Sequence, residues 1–160
     1  MSEMQVIAEP GVPQVVIIRE FAAPRELLFR AFTEAELFAR WIGPAQYEVT
    51  VNQLDPRHGG RWRYTHYDKA GKGYVFYGLY HGTPTVEQIV QTYEFDQQPG
   101  HVFLNTISLS ESGGVTTLRQ SSVFQTLEDR DGYVRGGMEY GIRQTMGQLD
   151  ELVTYLAKEA

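Results

Sequence analysis

Cysteine is absent from the 160 residues, which excludes disulfides, thiolate metal sites and cysteine nucleophiles. No apolar run is long enough to cross a bilayer, and the start of the chain does not read as a secretion signal. The cytoplasm is therefore the simplest expected compartment. Positive charge is also scarce. Lys and Arg total 14 against 20 Asp and Glu, for a net charge of −6, and the eleven arginines are scattered. Neither nucleic acid nor a membrane is an expected partner. Of the four histidines, His58, His66, His81 and His101, none sits at an HxH or HxxxH spacing, so no metal site is expected. No GxSxG nucleophile motif occurs. Gly59-Gly60 and Gly113-Gly114 join strand-like segments instead of opening helices, which argues against a phosphate cradle. No cofactor is expected, and no dedicated catalytic constellation stands out.

What the chain has is glycine and aromatic residues. With 16 Gly, 10 Tyr and 8 Phe, it reads as aromatic-rich strands joined by tight turns. Hydrophobic residues at 42% and a length of 160 suffice for one domain with a real core. Residues 1–13 mix polar residues with two prolines and are expected to be a flexible arm, leaving 14–160 as a single domain.

Val15 to Phe21 (VVIIREF) is apolar and β-branched, a first strand. Pro24 suits the first turn of a helix, and Leu28, Phe29 and Phe32 recur at helical spacing. Thr33 with Glu36 has the form of a capping box for a second short helix ending at Trp41. From Tyr47 the period becomes two. Trp62, Tyr64 and His66 share one strand face, and Phe76, Gly78 and Tyr80 share one face of the next. Further strands are expected at 87–95, 102–110 and 115–125, joined by turns into an antiparallel meander. Both faces of 87–95 and 115–125 carry apolar residues, so the direction of Tyr93 and Gln120 stays open. Val75, Tyr77 and Leu79 line up on an outer face, which suggests covering by a partner such as a second copy in a homodimer.

The last segment, Gly136 to Lys158, carries the one long helical period. At roughly 100° per residue, Met138, Ile142, Thr145, Leu149, Leu152, Val153 and Leu156 form one stripe. Arg143, Gly147, Asp150, Glu151 and Lys158 fall opposite, and Glu139 with Arg143 is spaced for a surface pair. Gly141 inside this helix costs roughly 1 kcal/mol relative to alanine. Either it leaves space for a cavity or it lets the helix lie flat on a sheet. The fold class is therefore α+β: a curved antiparallel sheet of about six to seven strands, two short helices after the first strand, and a long C-terminal helix over the concave face.

Thr33 to Pro44 (TEAELFARWIGP), Leu54 to Tyr64 (LDPRHGGRWRY), Phe76-Tyr77-Gly78 and Gly137 to Leu149 (GMEYGIRQTMGQL) resemble, in that order, single-domain relatives of the activator of heat-shock protein 90 ATPase. These belong to the START-like (SRPBCC, Bet v 1-like) helix-grip superfamily. The resemblance covers roughly residues 15–158 and implies a deep pocket between the sheet and the last helix. It further implies one of three roles: a stress-related binder of an apolar molecule, a cyclase or hydrolase, or a co-chaperone in contact with the chaperone. The family's namesake has a separate N-terminal domain for which this chain has no room, so ligand binding ranks ahead of chaperone contact.

A hydrophobic or aromatic ligand is the expected partner. Its expected wall is Trp41, Trp62, Tyr64, His66, Phe76, Gly78 and Tyr93 from the sheet side, and Met138, Gly141, Ile142, Thr145 and Leu149 from the helix. Ligand pockets are mostly apolar with a few orienting polar groups; Tyr64, His66, Tyr93 and Gln120 are the candidates. His66 is the only histidine on the inner face and either orients a ligand, acts as an acid or base, or is structural.

Overall fold

The structure, a computed structural model, describes residues 3–159; Met1 and Ser2 of the expected arm, and Ala160, lie outside the described residues. In chain order the elements are β1 (Gln5–Ile7), β2 (Gln14–Phe21), α1 (Arg25–Thr33), α2 (Ala35–Phe38), β3 (Glu48–Leu54) and β4 (Arg61–Tyr67). There follow β5 (Gly73–Leu79), β6 (Gln88–Phe95), β7 (Val102–Ser112), β8 (Val115–Phe124), α3 (Leu127–Arg135) and α4 (Met138–Glu159). The strands form one sheet in the order β1-β2-β8-β7-β6-β5-β4-β3, antiparallel throughout. From β3 to β8 it is a meander, and β2 closes on β8 through eight register pairs, Gln14↔Val123 to Phe21↔Thr116. Sheet order sets the consecutive strands β2 and β3 far apart, and α1 and α2 carry the chain between them.

Eight strands are present where six or seven were expected. The extra one is β1, whose three residues pair with β2 (Val6↔Ile17) inside the segment read as a flexible arm. Met4 beside it is 7% exposed. A run this short has no period of its own, and the open edge of β2 recruits it.

The helices differ from expectation at their ends. Thr33 closes α1 and donates its hydroxyl to the Phe29 carbonyl at 2.7 Å, so it does not cap α2. Glu34 takes the N-cap position there, with no side-chain cap bond. A further helix, α3, was not foreseen because residues 127–135 carry no apolar stripe. It is held by other means. Thr126 accepts from the Asp129 amide at 3.0 Å, and Glu128 and Asp129 stand in the first turn, where the helix dipole favours negative charge. Arg130, 4% exposed, donates through Nη1 to the carbonyls of Glu9 (2.9 Å) and Gln14 (3.3 Å). Gly136 and Gly137 (φ 83°) then turn the chain into α4.

The α4 stripe packs largely as its period implies. Met146, Leu149, Leu152 and Val153 are buried; Glu139 and Arg143 pair on the surface at 2.9 Å. Asp150 is the exception. It is half-buried and pairs with Arg19 of β2 at 3.5 Å, because β2 rises beside the helix and brings a cation to its flank. Gln148 ties the other flank down, donating to the carbonyls of Trp41 (3.0 Å) and Gly43 (2.6 Å).

On the outer face Val75 and Tyr77 are half-buried, Leu79 is 39% exposed, and the Arg63 guanidinium lies over the Tyr77 ring. Among the described residues no helix is long and apolar enough to cross a membrane.

Candidate ligand cavity

Between the concave face, α1–α2, α3 and the first half of α4 lies a cavity of about 790 Å³, within the usual range for small-molecule sites. Register decides which side chains line it, since directly opposed residues share a face. Tyr64↔Phe76↔Phe95 crosses β4, β5 and β6. Tyr93↔Phe103↔Phe124 crosses β6, β7 and β8, and Gln91↔Asn105↔Ser122 runs parallel to it. The faces of Tyr93 and Gln120, open from sequence alone, are thereby assigned: both line the cavity.

Trp41, Tyr64, His66, Phe76, Tyr93, Met138, Gly141, Ile142 and Thr145 all stand along this wall. A Cβ placed on Gly141 meets no heavy atom within 4 Å, so this glycine borders open space and does not serve a close helix–sheet contact. Trp62, Gly78 and Leu149 do not reach the wall. Trp62, 1% exposed, stacks under Tyr64 at 5.7 Å and against Tyr93 at 4.5 Å. Leu149 is fully enclosed in the core. Gly78 leaves no room at all. A Cβ there would overlap the Thr92 carbonyl oxygen and come within 2.9 Å of Trp62 Cζ2. Here β5 bends across β6, and regular pairing gives way to Thr92 Oγ1 accepting from the Leu79 amide at 3.0 Å.

Several wall residues were not anticipated. Phe95 and Phe124 come from strands whose face was undecided, and Phe103 from the strand between them; Tyr133 comes from the unforeseen α3; Gln91 and Asn105 are polar residues beyond the four polar candidates expected. The aromatic rings form a connected layer: Tyr93 stacks on Phe103 at 5.0 Å, and Phe103 and Tyr133 both pack on Phe124.

The polar groups of the wall fall into two zones. Its ionisable members outside the interior, Glu94, His101, Glu128, Asp129 and Arg135, are exposed or half-exposed and form the rim. There His101 Nδ1 meets the Asp129 carboxylate at 3.0 Å, joining the β6–β7 turn to α3. The interior is uncharged. The Tyr64 and Tyr93 hydroxyls bond to each other, and burial raises both phenols above the ordinary tyrosine range. Burial pushes Tyr133 up to about 12. His66 is lowered to about 4, again by burial, so it is neutral at physiological pH. Its Nε2 is sealed from solvent without a partner among the described residues, against the space where a Gly43 side chain would stand. Among the described residues no His, Asp or Glu side chains gather in threes to hold a metal.

The family model described as Activator of Hsp90 ATPase homolog 1-like protein matches residues 22–154. The chain belongs to this family. The match runs from the end of β2 to the last turns of α4 and so takes in the cavity wall. A Rhodobacter sphaeroides protein superposes with a TM-score of 0.87 at 22% identity, covering 96% of this chain and 99% of its own. Protein Ms6760 from Mycobacterium smegmatis gives 0.84 at 22% identity, covering 94% and 97%. Protein CV1439 from Chromobacterium violaceum gives 0.78 at 25% identity, covering 88% and 97%. Among curated proteins none matches the sequence. The helix-grip architecture is thus that of the family, and identities this low speak for the fold alone.

Proposed function

We propose that this family member binds a small, mainly apolar or aromatic molecule between α4 and the sheet. One observation carries the reading: Gly141 faces open space on the inner side of the long helix, over an aromatic floor around a cavity of about 790 Å³. A helix serving only to cover a core would be stabilised by a larger residue there. Catalysis has less support: the one inward histidine, lowered to about 4 by burial, is a weak base, and its Nε2 is sealed. A chaperone contact is supported by the family's description alone. The half-covered strip at Val75, Tyr77 and Leu79 supports a homodimer, which sedimentation of Leu79→Lys against the native chain would test.

The cavity reading is tested with an uncharged fluorescent probe such as Nile red. Saturable binding is expected in the native chain and should weaken at least severalfold in Gly141→Leu and Thr145→Leu variants that retain cooperative unfolding. A probe at 100 times its dissociation constant should stabilise the fold by roughly 2.7 kcal/mol. Equal binding by native and filled variants sinks the reading.

A further inference from the structure

The cavity floor has a surplus of hydrogen-bond donors. Tyr64 and Tyr93 have two hydroxyl protons and share one bond; among the described residues nothing accepts the second proton. Asn105, 3% exposed, accepts at Oδ1 from Ser122 Oγ at 3.1 Å, which leaves its NH₂ without an acceptor among the described residues. Gln91, 8% exposed, bonds neither end of its amide to a side chain or backbone group among the described residues. These amide atoms are not sealed away. Among the described residues, the buried side-chain polar atoms that lack both partner and solvent are Arg19 Nε, Trp62 Nε1, His66 Nε2 and Gln144 Oε1, so Gln91 and Asn105 open onto the cavity they line.

Gln91 and Asn105 stand directly opposite each other across β6 and β7, and Tyr93 is the next residue of β6 on the same face. The two amides therefore stand on one stretch of floor beside Tyr93, whose ring stacks on Phe103. Groups this buried are normally hydrogen-bonded. No buried residue of the wall is charged, and Arg135, the wall's one arginine, is exposed at the rim.

We propose that this floor is a recognition subsite for an uncharged carbonyl, seated by the Asn105 and Gln91 amides with the spare phenol proton of the tyrosine pair. The ligand class is then a neutral aromatic ketone, quinone or lactone. A hydrocarbon leaves the donors unmet, and a carboxylate is disfavoured because the floor offers no cation to offset its desolvation. The inference rests on the ligand-binding reading above and specifies which molecules that site prefers.

The test uses three pyrenes of matched size: 1-acetylpyrene, 1-ethylpyrene and 1-pyrenecarboxylate, titrated by fluorescence into the full chain. The native protein should bind 1-acetylpyrene about tenfold tighter than 1-ethylpyrene, the worth of one good neutral hydrogen bond, and the carboxylate weakest. In Asn105→Leu and, independently, Gln91→Met, the preference should collapse while 1-ethylpyrene binding persists. The second variant guards against the first unfolding, since Gln91 has no bond to lose. Equal binding of the acetyl and ethyl compounds by the native chain overturns the subsite but leaves the cavity standing. So does a preference for the carboxylate, or a ketone preference that survives both variants. If no pyrene binds, both readings fall.

Discussion

The Tyr64 hydroxyl bonds to the Tyr93 hydroxyl across the cavity floor, from strands 29 residues apart in sequence. Burial holds both phenols neutral, so the pair couples β4 to β6 where regular pairing of β5 with β6 is reduced to two residue pairs. Removing either hydroxyl leaves the other without its protein partner. Tyr64→Phe and Tyr93→Phe should each cost about 1–2 kcal/mol in urea unfolding. The double variant should cost less than their sum. Strict additivity would show that the two hydroxyls do not interact.

Gly78 and Gly141 make opposite predictions. Gly78→Ala drives a methyl into the Thr92 carbonyl and the Trp62 ring, and should cost more than about 2 kcal/mol or prevent folding, as overpacking does. Gly141→Ala meets nothing and gains helix propensity, up to about 1 kcal/mol. Thermal unfolding of the pair decides; a destabilised Gly141→Ala would mean that the helix needs the glycine for another reason.

His66 should make the fold acid-sensitive. Its folded value of about 4 lies below the ordinary 6.5, so the unfolded chain binds the proton first as pH falls. Its neutral form is fully compatible with the fold above pH 6.5, and stability is lost progressively between 6.5 and about 4. The loss approaches about 3 kcal/mol. His66→Phe should abolish that part of the difference between pH 7 and pH 5; an unchanged pH slope would assign acid sensitivity elsewhere.

Arg130 fastens α3 to the N-terminal segment through the Glu9 and Gln14 carbonyls. Arg130→Met keeps most of the apolar stem and removes every donor. Amide exchange should accelerate in residues 5–7 and 127–135 together, with β4 and β5 unaffected. Protection lost in α3 alone would show that β1 is held by its strand pairing and not by this side chain.

The amphipathic period of α4, the alternation through Trp62, Tyr64 and His66, and the turn-punctuated meander are local signals, and periodicity alone specified them. So was the oddity of Gly141, because a glycine in a helix interior contradicts propensity whatever surrounds it. Two short elements were silent for the same reason. The three residues of β1 and the polar α3 have no pattern of their own, and hold through the edge of β2, the Thr126 cap and Arg130.

Strands with apolar residues on both faces leave their orientation undetermined from within. Tyr93, Phe103, Asn105 and Gln120 acquired a face only through register with their neighbours. Tertiary structure also separated glycines that look alike in sequence. Gly78 sits where two backbones touch, and Gly141 sits beside empty volume. What decides between contact and cavity is the distance to a residue remote in the chain, and no local pattern carries that distance.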